Sequence, residues 1–251
     1  MDLSQFFSYS DWHGPAFELF GPAHLTAIAF FVVINLLFWF FRKKITPAWD
    51  RFFRYGMAAI LIADELAWHY WNYYHGNWTL QTMLPLYICS VFVWANSIML
   101  LTRNYTIFEF AYLLAIPTAL QAFLTPDAGQ FGFPHYRFFQ VMLSHGLIIT
   151  SALYMAFVAG YRPTWNSVKK VLIYANVYSV FVFIVNMLLG SNYMFIAHKI
   201  ETASLLDVLP DWPYYLIFFE VLGAFFILLL YSPYGVRDWW IKRRQIGRAH
   251  V

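Results

Sequence analysis

Long, continuous runs of apolar residues alternate with short polar segments along the whole chain. Each run is long enough to cross a hydrocarbon layer of roughly 30 Å at about 1.5 Å per residue of helix. Within the runs, apolar and polar residues do not alternate, which favours helices over the strands of a membrane barrel. Seven spans are predicted, at His24–Phe41, Tyr55–Tyr74, Leu84–Leu101, Thr106–Leu124, Phe138–Ala159, Lys170–Gly190 and Tyr214–Tyr231. The pattern therefore predicts an all-α fold, a polytopic membrane helical bundle of about seven transmembrane helices.

Composition and charge agree with a membrane protein and add an orientation. Of the 251 residues, 61% are hydrophobic and only 12% are charged, too few to cover a soluble domain. In a seven-span arrangement every Lys and Arg except Arg137 and Lys199 falls on one side. Because Lys and Arg are enriched in cytoplasmic loops, the N-terminus is predicted outside and the C-terminus inside. The net charge is +3, and the basic residues lie beside the apolar spans, where they orient the protein in the membrane. Nucleic acid is therefore not expected as a partner.

The chain is expected to form one domain. No internal repeat and no low-complexity linker divides residues 1–251, which are predicted to form a single seven-helix transmembrane domain. The long outer loop Ser191–Pro213 is too apolar for disorder. It is expected to fold over the outer mouth of the bundle, with a short helix at Ser204–Leu209, or else to pack as a purely structural loop. Residues 232–251 are predicted to form a basic cytoplasmic tail.

Polar residues inside the predicted spans gather towards the outer side of the membrane. Five spans contribute Glu65, His69, Tyr87, Cys89, Ser90, Gln121, His145 and Asn186. Counted from the outer ends at about 1.5 Å per residue, these side chains lie at depths of roughly 5 to 14 Å. Intramembrane carboxylates normally face the bundle interior, and Glu65 and His69 share one helical face at spacing i,i+4. The shared depth predicts a polar cavity that opens outward.

Two functions fit such a cavity. The first is acyl transfer or acyl-ester hydrolysis on membrane lipids, with His145 as general base and Cys89 or Ser90 as nucleophile. Glu65 or His69 would orient the base. The second is solute binding or transport without covalent chemistry, in which intramembrane carboxylates such as Glu65 couple to protons or cations.

Further residues are expected to bind a lipid or small-molecule substrate in either case. They are His69, Tyr87, Gln121, Asn186, Asn192 and Tyr193. Asn186 and Asn192 would also donate to an oxyanion in the enzyme hypothesis. The spacing of Glu65, His69 and His145 matches no HExxH-type motif, so no metal and no other cofactor is expected.

Two common classes of seven-span protein are disfavoured. A retinal protein needs a lysine in its last span, and Tyr214–Tyr231 contains none. A hormone-type receptor is expected to carry an acidic residue next to the arginine that ends its third span. Arg103 stands in LTRNY, without that neighbour.

Several motifs carry a family resemblance. FGPAHL, LPLYIC, AIPTALQAFLTPD, FPHYRFFQVMLSHG and LGSNYMFIAHKIETASLLDVLPDWPYYL recur in this order and cover most of the chain. Together they resemble the YwaF-like family of bacterial integral membrane proteins. More distantly, the chain is similar to eukaryotic transmembrane protein 164, an acyltransferase of ether phospholipids, and to the androgen-induced hydrolases of fatty-acid esters.

The resemblance implies membrane lipids as partners, a multi-pass location in the bacterial inner or plasma membrane, and a Cys or Thr nucleophile that works with an intramembrane His. His145 in LSHG matches that His. The acyltransferase has its Cys directly after a Pro in the third span, where this chain has Leu86 after Pro85. Cys89 lies three residues further along.

Overall fold

The computed structural model describes residues 3–199 and 209–249, and all regular structure in these ranges is helical. After the short α1 (Leu3–Phe6), each predicted span overlaps one long helical segment. The segments are α2 (Pro22–Phe41), α3 (Pro47–Tyr74), α4 (Ile88–Thr102), α5 (Tyr105–Phe110) joined through a π turn (Ala111–Ala115) to α6 (Ile116–Leu124), α7 (Tyr136–Phe157), α8 (Trp165–Leu189) and α9 (Tyr215–Ala249). The prediction of an all-α fold is confirmed.

The helices have the length and composition of membrane spans. In the described part of the chain, five segments are long and apolar enough to cross a membrane: α2, α5–α6, α7, α8 and the first part of α9. The apolar α4 is shorter, at 15 residues, and the 28-residue α3 contains several charged side chains. A helical membrane bundle is therefore confirmed, while seven spans and their orientation stay predictions.

Local chemistry explains where two helices begin. Helix α3 starts at Pro47, ahead of the predicted Tyr55, because the Thr46 side chain accepts a hydrogen bond from the Trp49 amide and proline suits the first helical turn. Helix α4 starts at Ile88, later than the predicted Leu84. The preceding residues form turns and bends that are held in place, since the Leu84 amide donates to the Tyr193 hydroxyl and the Leu86 carbonyl accepts from the Tyr178 hydroxyl.

The span predicted as one helix at Thr106–Leu124 contains a break. Pro117 has no amide hydrogen, and its ring would clash with the carbonyl of residue 113 in a regular α-helix. The π turn Ala111–Ala115 widens the backbone just before it and absorbs this conflict. At the other end of the chain, α9 continues past the predicted Tyr231 and through Pro233, so the described part of the basic tail is helical to Ala249.

Helix α7 lies at the centre of the bundle. Within its most apolar window 72% of residues are buried, against 11% for α2 and 17% for α8. Helices α2, α3, α4 and α6 pack around it, and the small Gly146 lets the Phe31 ring of α2 approach its backbone. Most polar side chains on α7 are therefore buried, and Tyr136, Arg137 and His145 are partly buried.

A cluster of charged side chains joins α3, α4 and α7 at one end of the bundle. The buried Asp50 carboxylate accepts hydrogen bonds from Arg54 Nε at 3.1 Å and from the Tyr154 hydroxyl at 3.0 Å. Arg103, just after α4, forms a further ion pair with the same carboxylate. Arg54 also donates to the Leu100 carbonyl. One carboxylate therefore pairs with two guanidinium groups, which leaves the cluster with one net positive charge.

Replacing Asp50 with Asn is expected to destabilise the protein strongly. The variant keeps the side-chain shape but leaves the buried Arg54 without its counter-charge, which typically costs about 3–5 kcal/mol. The free energy of unfolding, measured in detergent, checks this. Asp238→Asn is the control, because it removes a carboxylate whose pair with Arg162 is 39–40% exposed, and should cost no more than about 1 kcal/mol. Equal effects of the two variants would contradict the role given to Asp50.

Candidate functional site

A group of polar side chains lies between α3 and α7, at the end opposite to Asp50. This α3–α7 polar cluster consists of Asp64, Glu65, His69, Tyr136, Arg137 and Gln140. Asp64 accepts a hydrogen bond from Gln140 Nε2 at 3.3 Å, and Gln140 Oε1 accepts one from Arg137. Arg137 also donates to the Asp127 carbonyl at 3.0 Å and lies over the Trp68 ring at 4.3 Å. The guanidinium is thus held in place from three sides.

The second carboxylate of the cluster, Glu65, lies beside His69, whose ring is in turn oriented by Trp78. Trp78 Nε1 donates to His69 Nδ1 at 2.9 Å, which leaves the proton of a neutral His69 on Nε2. His69 Nε2 lies 3.5 Å from Glu65 Oε1, so the imidazole points at the buried carboxylate. The structure therefore brings together Glu65 and His69, as their spacing predicts.

The cluster carries more negative than positive charge when both carboxylates are ionised. Asp64 and Glu65 are buried neighbours, and Arg137 is the one strong base in the cluster. The Tyr136 hydroxyl lies within electrostatic range of both carboxylates, is buried, and has no hydrogen-bond partner in the described part of the chain. This hydroxyl is a donor that a water or a ligand would satisfy.

His145 lies deeper on α7 and has one fixed ring nitrogen. Its Nδ1 is 2.8 Å from the Val141 carbonyl, one turn earlier, and 3.4 Å from the Ser144 hydroxyl. A carbonyl can only accept, so Nδ1 carries the proton and Nε2 has the free lone pair. Among the described residues none hydrogen-bonds to Nε2. The ring has the tautomer and orientation of a general base.

Cys89 lies within about one helical turn of His145 in depth. Asn96 of α4 donates to the Ile148 carbonyl of α7 at 3.1 Å, which aligns these two helices. Cys89 precedes Asn96 by about two turns, so at 1.5 Å per residue it lies level with roughly Val141, whose carbonyl holds His145. The described chain has no hydrogen bond between the Cys89 thiol and His145. The thiol instead interacts with the Thr118 hydroxyl.

The other predicted residues near the start of α4 are scattered. Ser90 is part-buried, and no hydrogen bond of its side chain occurs in the described residues. Gln121 is exposed on α6, away from the polar cluster. Tyr87 precedes α4 and packs its ring against Tyr193 at 5.2 Å and Phe195 at 5.7 Å. The structure thus places Tyr87 with the outer loop rather than with His145.

The predicted asparagines fasten the outer loop. Asn186 is buried, and its Oδ1 accepts from the Ser191 hydroxyl and from the Tyr193 amide, each at 2.8 Å. Its Nδ2 donates to the Tyr193 carbonyl at 2.9 Å. Asn192 holds residues 197–198 in the same way, through bonds of 2.8 to 3.2 Å to the main chain. Both amides are engaged in loop structure, which leaves little to donate to an oxyanion.

Tyr193 fixes the outer loop to the segment before α4. The side chain is fully buried, and its hydroxyl donates to the Leu80 carbonyl at 2.7 Å while accepting from the Leu84 amide. The described part of the loop therefore packs on residues 80–87. Most of the short helix predicted at Ser204–Leu209 lies outside the described residues.

The N-terminal segment, residues 3–21, covers the outer end of the polar cluster, a role that the sequence analysis did not assign. Trp71 Nε1 and the His75 Nε2 nitrogen both bond to the Phe7 carbonyl, at 2.8 and 2.9 Å, and His135 Nε2 bonds to the Ser8 carbonyl at 2.8 Å. The Phe7 ring packs on Tyr136 at 5.4 Å. The aromatic run FFSYSDW was the available signal, but its partners are distant in sequence.

The fold and the site define a helical membrane protein with a buried polar cluster and a histidine, His145, whose Nε2 has no hydrogen-bond partner in the described residues. The family model of the TMEM164 family matches residues 19–231. The chain belongs to the TMEM164 family, which confirms the resemblance to transmembrane protein 164. Comparison with curated proteins and with solved structures gives no match.

Acidification is expected to loosen the N-terminal segment through His135, which lies just outside α7. Burial, with smaller effects of Arg137 and His75, lowers the pKa of this imidazole from its usual value of about 6.5. In the neutral ring, Nδ1 accepts a hydrogen bond from the Arg137 backbone amide, and Nε2 donates one to the Ser8 carbonyl. A lowered pKa means that this stabilisation is present above about pH 6.5 and is lost as the pH falls below it.

The measurement is the mobility of a spin label at Ser10→Cys, in a Cys89→Ala background, between pH 8 and pH 5 (a range set on either side of about 6.5). Mobility should rise on acidification. In His135→Asn, whose amide can still cap the helix but does not titrate, the same pH change should have no effect. A rise of equal size in that variant would show that another group is responsible.

Proposed function

We propose that this protein is an enzyme of a bacterial cell membrane that transfers or hydrolyses acyl groups of membrane lipids, with His145 as its general base. The observation that carries the proposal is the state of the His145 ring. Its Nδ1–H is bound to the Val141 carbonyl, and its Nε2 is without a partner in the described chain. A histidine with a purely structural role in an apolar interior would be expected to use both nitrogens.

A second histidine of the bundle illustrates the contrast. His24 is buried, and its Nδ1 accepts from the Phe20 amide at 3.0 Å while its Nε2 bonds to the Phe123 carbonyl at 2.9 Å. Both of its nitrogens therefore serve the fold. In His145, by contrast, only Nδ1 has a hydrogen-bond partner in the described chain. This histidine stands in the LSHG motif that carries the family resemblance.

The proposed reaction uses a nucleophile at the start of α4. Nε2 of His145 accepts the proton of the Cys89 thiol, or of the Ser90 hydroxyl, as the sulfur or oxygen attacks the ester carbonyl of a lipid. When the carbon–oxygen bond of the ester breaks, the imidazolium returns the proton to the departing alcohol. Water or a second lipid hydroxyl then attacks the acyl-enzyme, loses its proton to His145, and releases the free nucleophile.

This reaction requires the nucleophile and the base to approach during turnover. Cys89 lies at the right depth, but its thiol is directed to Thr118. Catalytic hydrogen bonds are often long before substrate binds. Rotation of the Cys89 side chain away from Thr118 is therefore part of the proposal, and Ser90 remains the alternative nucleophile.

Replacing His145 with Ala is expected to lower acyl turnover by about 10²–10⁴-fold, the usual contribution of a general base. Purified protein in phospholipid vesicles is given a phospholipid with an isotope-labelled acyl chain, and labelled fatty acid and labelled acceptor lipid are measured by mass spectrometry. Intact protein mass reports the acyl-enzyme, which should be absent in Cys89→Ala if Cys89 is the nucleophile, and in Ser90→Ala if Ser90 is.

Thr150→Val is the matched control for the base. It also removes a buried polar group from α7, but Asn35 keeps its second bond, to the Phe31 carbonyl. Turnover should stay within a few-fold of the unmodified protein. If folded His145→Ala protein turned over the labelled lipid at the original rate, the proposed role of His145 would be wrong.

A specific observation also favours a second function, the binding or transport of a solute coupled to protons or cations. The α3–α7 polar cluster buries two adjacent carboxylates beside one guanidinium. Buried carboxylates in membrane spans commonly mark ion or proton pathways. Proton coupling would use Glu65, because its neighbour His69 can take up and release a proton, whereas the Gln140 amide beside Asp64 cannot.

The second function predicts a proton flux that depends on Glu65. Proteoliposomes with a pH-sensitive dye inside are placed under an imposed membrane potential, and Glu65→Gln should reduce the protein-dependent flux at least about tenfold, since the amide cannot exchange a proton. The control is Glu220→Gln, which alters an exposed carboxylate that binds Asn176. An equal proton flux in the unmodified protein, Glu65→Gln and Glu220→Gln would contradict proton-coupled transport through Glu65.

A further inference from the structure

An apolar cavity of about 380 Å³ lies on the side of the bundle, away from the polar cluster. Its walls come from α4, from α5 with the π turn, and from α8. On α4 the lining positions Ile88, Val91, Phe92 and Ala95 follow helical spacing, so they form one face of that helix. The volume is within the range of ligand pockets, roughly 300–1,000 Å³.

The cavity is elongated along the helix axes. On α4 its lining runs from Ile88 to Ala95, about 10 Å at the helical rise per residue. On the opposite wall it runs from Thr106 to Leu114, about 12 Å by the same rise. A ligand that fills it must therefore be long and narrow.

Two of the four side-chain hydroxyls in the lining are bound within the protein. The Tyr178 hydroxyl donates to the Leu86 carbonyl at 2.9 Å, and the Ser179 hydroxyl donates to the Ala175 carbonyl at 2.9 Å. The hydroxyls of the exposed Thr106 and Tyr174 have no hydrogen bond in the described part of the chain. A water molecule needs two to four polar partners to occupy a cavity, and the rest of the lining is apolar, which disfavours water inside it.

The cavity opens beside two segments that have the composition of membrane spans. Thr106 and Tyr174 in its lining are exposed, whereas Phe92 is buried. Two of the three walls, α5–α6 and α8, are long and apolar enough to cross a membrane. We therefore take lipid to be the medium at the mouth of the cavity.

We propose that this cavity binds one acyl chain of a membrane phospholipid, which enters between Thr106 and Tyr174. An empty cavity of this size would forfeit the dispersion contacts of all its walls. A hydrocarbon chain matches its largely apolar lining, and the hydroxyls of Thr106 and Tyr174 lie where the chain would enter. The site does not depend on the proposed chemistry at His145, since a bound chain could equally belong to a structural lipid.

The test uses a phosphatidylethanolamine that carries a photoactivatable diazirine on one acyl chain. The protein is reconstituted in vesicles with this lipid, irradiated, and digested, and the cross-linked residues are mapped by mass spectrometry. Labelling is expected on the cavity faces of α4 and α8 in preference to the outward face of α8. Label spread evenly over the lipid-facing residues would overturn the proposal, whatever the variants below do.

Filling the cavity provides the second measurement. Ala175→Phe fills it from α8 and Ala95→Phe fills it from α4, and each should reduce cavity labelling at least tenfold. Val177→Phe is the matched control, because Val177 lies two residues from Ala175 and is 60% exposed on the outside of the bundle. Cavity labelling in Val177→Phe should equal that in the unmodified protein. Undiminished labelling in both filled variants would overturn the proposal.

The same experiment separates this inference from the proposed function. Cavity labelling is expected to be unchanged in His145→Ala, in which turnover is expected to be lost. Loss of lipid turnover in His145→Ala together with unchanged cavity labelling would support both the role of His145 and the acyl-chain site. Labelling confined to the cavity without any turnover in the unmodified protein would leave the acyl-chain site standing and remove the enzyme proposal.

Discussion

Helix α3 carries three buried carboxylates, Asp50, Asp64 and Glu65, that need polar partners inside an apolar bundle. Asp50 and Asp64 are almost four turns apart, about 21 Å along the helix. Both meet a donor on the central helix α7, at Tyr154 and Gln140. An unpaired buried carboxylate costs several kcal/mol, so sliding α3 along α7 by one turn would break two such contacts at once. These two contacts fix the register of the helices around which the rest of the bundle packs.

The register sets the geometry of the candidate site. Once Gln140 is beside Asp64, the Val141 carbonyl and the His145 ring lie just below the polar cluster on the same helix. Asn96 joins α4 to α7 through the Ile148 carbonyl and thereby sets the depth of Cys89. Depth and lateral position are nevertheless separate properties. Two residues at one level of a bundle can face different neighbours, as Cys89 and His145 do.

The sequence predicted the features that depend on local pattern. Continuous apolar runs were sufficient to place the helical segments, and the i,i+4 spacing was sufficient to bring Glu65 near His69. The features it missed depend on contacts between distant residues. Helix α4 starts late because Tyr178 and Tyr193 hold the preceding turns in place. Gln140, Tyr136 and the N-terminal segment join the site through contacts between residues that are distant in sequence. No periodicity encodes such contacts.

The N-terminal segment that covers the polar cluster constrains both proposed functions, lipid acyl chemistry and solute transport. The N-terminal segment closes the outer end, with Phe7 over Tyr136 and its carbonyl bound to Trp71 and His75. A water-soluble solute would have to displace this segment and break those hydrogen bonds before it reached His145. The helices α2, α3, α4 and α6 surround α7 on its sides, so under the proposed acyl chemistry a lipid would have to enter between two of them. The proposed substrate therefore requires a lateral path to His145 for as long as the N-terminal segment stays in place.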